Sequence, residues 1–214
     1  VDAQLRVWFN SEMVSRNYIV PGLIAVIMMI IAAMITSLTI AREWENGSME
    51  MLLSTPIRPA EIIAGKILPY VGMALTGALL IYFTARLVFG VPFRGSHALL
   101  GAACLLFIIS SLSQGILISV VTRQQQKAMQ FSMIAGLLPA ILLSGFIFPV
   151  ESMPVFFRYL TMMLPARWFM VIIRSLFLKG PGFSGLLQPF IFLTLLCLLP
   201  MAAASKNFKR DIER

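Results

Sequence analysis

Three groups of residues in this sequence have types and spacings that could do work. The first is a run of carboxylates, Glu43, Glu45 and Glu50, set among Arg42, Trp44, Gly47, Ser48, Met49, Met51, Leu52, Leu53 and Pro56. Trp44, Met51, Leu52 and Thr55 recur at helical spacing, while Glu43, Glu45, Asn46 and Glu50 lie largely elsewhere. That pattern predicts a short amphipathic helix at about 43–55, interrupted at Gly47, lying along a membrane surface and stopped by Pro56 and Pro59. Basic helices are the usual type held by anionic lipid. An acidic one is expected to meet protein instead. The second group is Ser110, Ser111 and Gln114, with Ser113 between them, in the middle of an apolar run. Its hydroxyls could line a substrate path, or could make the interhelical hydrogen bonds common in membrane bundles. The third is a G-x-G-x-x-G match at Gly180–Gly185. A dinucleotide site would need a strand before it and an amphipathic helix after it. Here the match opens an apolar span and is expected to be a turn.

Other chemistries find little support. The sequence has no G-x-x-x-x-G-K-[ST], so no P-loop for ATP. The only histidine, His97, sits beside the end of a span with no carboxylate or thiol near it in sequence, and reads as an interfacial residue. Cys104 and Cys197 both fall inside apolar runs, where a thiol behaves as a small hydrophobe. No catalytic set and no metal-ligand spacing stands out.

The elements that must position these groups are membrane helices. Hydrophobic residues make up 59% of the chain and charged residues only 12%, with mean hydropathy +0.89. Five apolar stretches fill most of the 214 residues, at about 21–40, 67–89, 99–121, 128–148 and 183–204. Twenty helical residues cover about 30 Å, the hydrocarbon thickness of a bilayer. Lipid offers no partners to backbone polar groups, so the spans should be helices. The predicted fold is all-α and polytopic. Pro21 suits the first turn of the first span. Gly72, Thr76 and Gly77 give the second a small face for close packing. Pro189 and Pro200 are expected to break the last. Residues 149–182, punctuated by four prolines, read as two outer half-helices at about 155–179 that dip into one interface and carry Arg158, Arg167 and Arg174. Residues 1–18 are polar and mixed, the end of an external domain or a connector.

The net charge of +8 does not point to nucleic acid, because the basic residues flank the spans rather than share one face. The face with the arm, the 122–127 loop and the tail carries nine Lys or Arg, and the other face eight. The dense basic tail favours placing arm and tail in the cytoplasm. Apart from Arg86 near one end, no span contains an ionisable charge, and carriers driven by protons or sodium usually need such groups. Energy for uphill transport would then arrive through the arm.

The run Ala41–Pro56, followed by Glu61, Gly65-Lys66 and Pro69-Tyr70, resembles the signature of ABC-2-type exporter permeases. It is similar in particular to the bacterial multidrug-type subgroup. Tyr18–Leu23, Gly90-Val91-Pro92, Ser144–Pro149 with Ser152-Met153-Pro154, and Leu164–Arg167 extend the resemblance over nearly the whole chain. The resemblance implies six spans, an external domain after the first span, and a chain here that lacks that first span. It implies an inner-membrane protein with arm and tail in the cytoplasm. It also implies that the arm is a coupling helix docking on a separate ATPase subunit, which would bind the ATP and Mg. Glu43, Glu45 and Glu50 would supply polar contacts, and Met49, Met51, Leu52 and Leu53 packing. Ser48 stands where many members carry Thr. The half-helices would help close the outer exit, and two permeases, alike or sister proteins, would pair. Two other readings stay open on the residues: a membrane assembly or anchoring protein without a transport path, and a stand-alone secondary carrier.

Overall fold

A computed structural model describes residues 15–53, 59–180 and 182–212, and among them every regular element is a helix. In chain order these are α1 (Ser15–Glu45), α2 (Ser48–Leu53), α3 (Pro59–Leu87), α4 (His97–Thr122), α5 (Gln125–Ser132), α6 (Leu138–Leu142), α7 (Val155–Leu160), α8 (Pro165–Leu178) and α9 (Phe183–Ile212). A π-helical turn, Met133–Leu137, joins α5 to α6 without a break. The all-α polytopic architecture is the expected one. α1, α3, α4 and α9 are long and apolar enough to cross a bilayer.

Several expectations are corrected in detail. The fourth span, expected over 128–148, runs as helix only from Gln125 to Leu142, and residues 143–149 leave it. Pro139 cannot donate to the carbonyl four residues back and its ring crowds that turn, which the wider π-turn just before it accommodates. Ser144 Oγ then bonds back to the Ala140 carbonyl, and Gly145 takes φ +87° as the chain turns away. Four single helices therefore have span length, or five spans if the bent pair described below counts as one. Pro21 lies inside α1, six residues after its first described residue, rather than in a first turn. Pro189 and Pro200 do not break α9. Breaking a helix in lipid would strand more backbone groups than a proline removes, so the helix continues through both.

α1 and α4 form the centre. Gly115 of α4 meets α1 so closely that a Cβ there would lie 2.7 Å from the Ala33 carbonyl oxygen. This contact lets the two backbones approach as small residues do in membrane bundles. Around them the core is aromatic. Phe107 of α4 stacks on Phe169 of α8 with centroids 4.1 Å apart, and Trp168 stacks on Phe192 of α9 at 4.2 Å.

α3 lies at the margin. It buries Ile67, Ala78 and Ala85 against its neighbours and leaves Leu68, Met73, Leu80 and Phe83 exposed. The small face expected to pack closely does not do so within the chain. A Cβ at Gly72 or Gly77 would meet nothing within 4 Å. The half-helices are present: the α7 segment and α8 meet at 86° across Leu164, with Pro165 opening α8. This bent pair, referred to below as the hairpin, lies at the end of the bundle opposite the arm. α8 buries Phe169, Ile172, Ile173, Leu176 and Phe177 on one side and carries Arg167 and Arg174 on the other.

Candidate functional site

The arm is built in two pieces divided at Gly47, as expected, but the first piece is the end of α1 rather than part of a separate helix over 43–55. α1 runs on without interruption through Arg42, Glu43, Trp44 and Glu45, so these four form its last turn. Asn46 and Gly47 make the turn, with the Asn46 N–H bonded to the Arg42 carbonyl at 3.0 Å. Gly47 adopts φ +74°, a conformation that side-chain-bearing residues avoid. The chain then restarts as the six-residue α2. The helical stripe joining Trp44 to Met51 and Leu52 is therefore cut at Gly47. Ser48 Oγ donates back to the Glu43 carbonyl at 3.1 Å and ties the two pieces together.

The first piece is braced on three sides. Lys66, near the start of α3, forms an ion pair with Glu43, and the side chains are only 15% and 29% exposed. Glu45 accepts a hydrogen bond from the Gln125 backbone N–H at the first residue of α5, at 3.3 Å. The Arg123 guanidinium lies 4.6 Å from the centroid of the Trp44 ring. Arg123 holds that place because it terminates α4 in the left-handed conformation, φ +50°, with its N–H on the Ser119 carbonyl. The last turn of α1 is thereby clamped to α3, to the α4–α5 junction and to α5.

The second piece stands out from this brace. Met51 is 68% exposed, while Leu52 packs against the core. Pro56 and the side chains of Met49, Glu50 and Leu53 lie outside the described residues.

Within the bundle, Ser110 and Ser111 sit fully buried on α4. Ser110 Oγ donates across to the Leu196 carbonyl of α9 at 3.1 Å, near Pro200, whose missing N–H leaves that carbonyl without its helical donor. Ser111 Oγ and Ser113 Oγ bond back to Phe107 and Ile109 carbonyls of their own helix, at 2.9 and 2.7 Å. Gln114 is half-buried. A second polar seam lies one turn toward the arm. There Ser37 of α1 and Ser132 of α5 share a hydroxyl–hydroxyl bond at 2.6 Å, beside Thr36, which bonds back to Ala32. His97 stands in an aromatic cluster with Tyr82, Phe93 and Phe177, and its Nε2 is 2.9 Å from the Tyr82 hydroxyl. The G-x-G-x-x-G stretch follows α8, and Gly180 takes φ +62°, so it begins as a turn.

At the opposite end, the 144–151 segment and the hairpin enclose a cavity of about 430 Å³. Arg158, Arg167, Arg174, Lys179 and Glu151 line it together with apolar side chains. Arg174 Nη1 donates to the Gly145 carbonyl at 2.8 Å, and Arg167 Nη1 to the Arg158 carbonyl at 2.9 Å.

Sequence reasoning named the arm residues but not their partners. Lys66 and Arg123 were visible as basic residues at span ends, and nothing in the sequence paired them with Glu43 and Trp44. The convergence of the hairpin cations with Lys179 and Glu151 was also missed. The seven-residue interval between Arg167 and Arg174, two helical turns, was the one signal for it.

Comparison with known proteins agrees with this architecture. The model of the ABC-2 family transporter proteins matches residues 1–206. The chain is 44% identical over 180 residues to the probable multidrug ABC transporter permease YbhS of Escherichia coli K12, covering 84% of this chain and 48% of that protein. It is 32% identical to the probable multidrug ABC transporter permease YbhR of the same organism, over 97% of this chain and 56% of the relative. ABC transporter G family member 20 of Dictyostelium discoideum is 28% identical over 94% of this chain and 28% of its own length. The chain thus belongs to the ABC-2 family of membrane transporter proteins. It spans about half the length of the E. coli relatives it matches.

Proposed function

We propose that this chain is the membrane-spanning part of an ATP-driven exporter permease, with the arm as the point at which a separate ATPase subunit docks. The arm and tail face the cytoplasm of a bacterial cell, in its inner membrane, and the partner binds ATP and Mg. A second permease completes the transport path. The observation that carries this reading is the divided arm. Its first piece, the end of α1, is locked to α3, to the end of α4 and to α5, so force applied there reaches all four helices together. Its second piece, α2, presents Met51 outward for contact. The spans carry no charge but Arg86, near the end of α3, and so supply no ion-coupled energy source of their own. The E. coli relatives are named as probable multidrug permeases, which supports drug-like molecules as the substrate class. The path then runs between two permeases rather than through this bundle, and Ser110 and Ser111, buried and hydrogen-bonded inside it, hold α4 in place rather than line that path.

The test separates docking from internal bracing. Glu43→Lys alone breaks the Lys66 pair as well as any outward contact, so it is compared with the charge swap E43K/K66E. Met51→Cys, carrying a short crosslinker, is expected to capture an ATPase subunit in membranes, and Glu50→Lys to weaken that capture. The proposal fails if Met51→Cys crosslinks only lipid while transport is running.

A further inference from the structure

We propose that the cavity between the 144–151 segment and the α7–α8 hairpin binds a phosphate group, borne by a membrane phospholipid or by a water-soluble phosphate ester. The inference rests on the cavity and stands or falls apart from the exporter reading.

Charge is the first argument. Arg158, Arg167, Arg174 and Lys179 line one cavity with Glu151 as its single carboxylate, a net charge of +3. They come from α7, from both ends of α8 and from the residue after it, so the hairpin fold gathers like charges that sequence keeps apart. Such a gathering is unfavourable in itself, and an anion in the middle relieves it. Three of the four are arginines, whose planar fork matches phosphate oxygens two at a time.

Positioning is the second. Arg167 is fixed by its bond to the Arg158 carbonyl, by Thr161 Oγ1 and by its place 5.2 Å from the Trp168 ring centroid. A guanidinium carries five N–H donors, and these contacts engage only Nη1. Arg174 is fixed by the Gly145 carbonyl. A purely structural role as carbonyl clamps accounts for Arg167 and Arg174. It does not account for Arg158, whose exposed guanidinium makes no hydrogen bond or ion pair among the described residues.

Size and setting are the third. A volume of about 430 Å³ suits a headgroup with its first carbons. Met170, Val171 and Leu178 give the cavity an apolar side. On the hairpin beside it, α7 exposes Phe156 and Tyr159, bulky aromatics of the kind that sit at headgroup depth.

The test uses the purified full chain in detergent and two lipids with matched acyl chains, phosphatidylglycerol and an uncharged galactosyl diacylglycerol. Retained lipid is counted by native mass spectrometry. The chain is expected to hold phosphatidylglycerol in preference to the galactolipid. Arg158→Gln with Lys179→Gln is expected to weaken that binding about tenfold, equivalent to ~1.4 kcal/mol. Arg86→Gln with Arg94→Gln removes the same charge outside the cavity and should leave binding unchanged. Glu151→Gln should tighten it. Glycerol 1-phosphate added as competitor distinguishes the sources. Displacement of lipid together with a raised melting midpoint identifies the phosphate ester as sufficient, and lipid retention unmoved by it identifies the bilayer headgroup as the occupant. Equal retention of the two lipids, with no rise in melting midpoint on glycerol 1-phosphate, overturns the proposal. So does equal loss in the two double variants, or a lack of response to both phosphatidylglycerol and glycerol 1-phosphate.

Discussion

The two ends of this bundle handle charge in opposite ways. At the arm end three side chains of the last α1 turn find complements within the chain: Glu43 has Lys66, Glu45 has the Gln125 N–H, and Trp44 has Arg123. At the hairpin end four cations share one cavity with one carboxylate. A matched set holds a shape, whereas a surplus of one sign awaits something from outside. The difference teaches where removing a charge should damage the protein and where it should not.

The largest effect is expected at the matched end. Lys66→Glu places like charges where a half-buried ion pair stood, and should cost about 2 kcal/mol in a detergent melt. The swap E43K/K66E should recover most of that loss; failure to recover would mean that the brace is not electrostatic. A smaller loss is expected at the hairpin end from packing rather than charge. A Cβ at Gly22 would collide with the Phe146 ring and lie 3.4 Å from Arg174 Nη2. Gly22→Val should therefore cost about 1–2 kcal/mol and reduce any anion binding by displacing that guanidinium. Arg123→Gln removes the cation over Trp44 and should cost about 0.5–1 kcal/mol, read as the same melting shift. Arg158→Gln is expected to be smallest, within about 0.5 kcal/mol of zero. Relief of repulsion would make it stabilising in the absence of ligand. A clear destabilisation by Arg158→Gln in ligand-free protein would erase the contrast between the two ends.

The spans were legible because composition and length alone decide them. Uncharged runs such as Ile24–Ile40 have no other solution in lipid. What misled was proline. Pro189 and Pro200 look like breaks when read locally, yet α9 passes both, because the bilayer penalises exposed backbone more than the helix penalises proline. Pro139 did have an effect, but as a π-turn and a shortened span, which no period count reveals. The arm's residues were legible as a motif. Its division at Gly47 was visible as a glycine, but the extension of α1 to Glu45 depended on Lys66, Arg123 and Gln125 arriving from elsewhere in the chain. Pairings across 23 and 80 residues are tertiary facts, outside the reach of local pattern. The small residues of α3 were read as a packing face, and the face is open within this chain.

Between Gly22, under Phe146 of the 144–151 segment, and Glu43, in the brace, α1 is one helix about 32 Å long by its rise per residue. Its proline lies outside that stretch. A shaft with no joint along its length conveys twist and thrust alike. A torque at the carboxylate end therefore reaches Phe146 and Arg174 as a change of angle, after a delay set by elasticity and not by unfolding. The chain carries the two ends of its chemistry on a single axle.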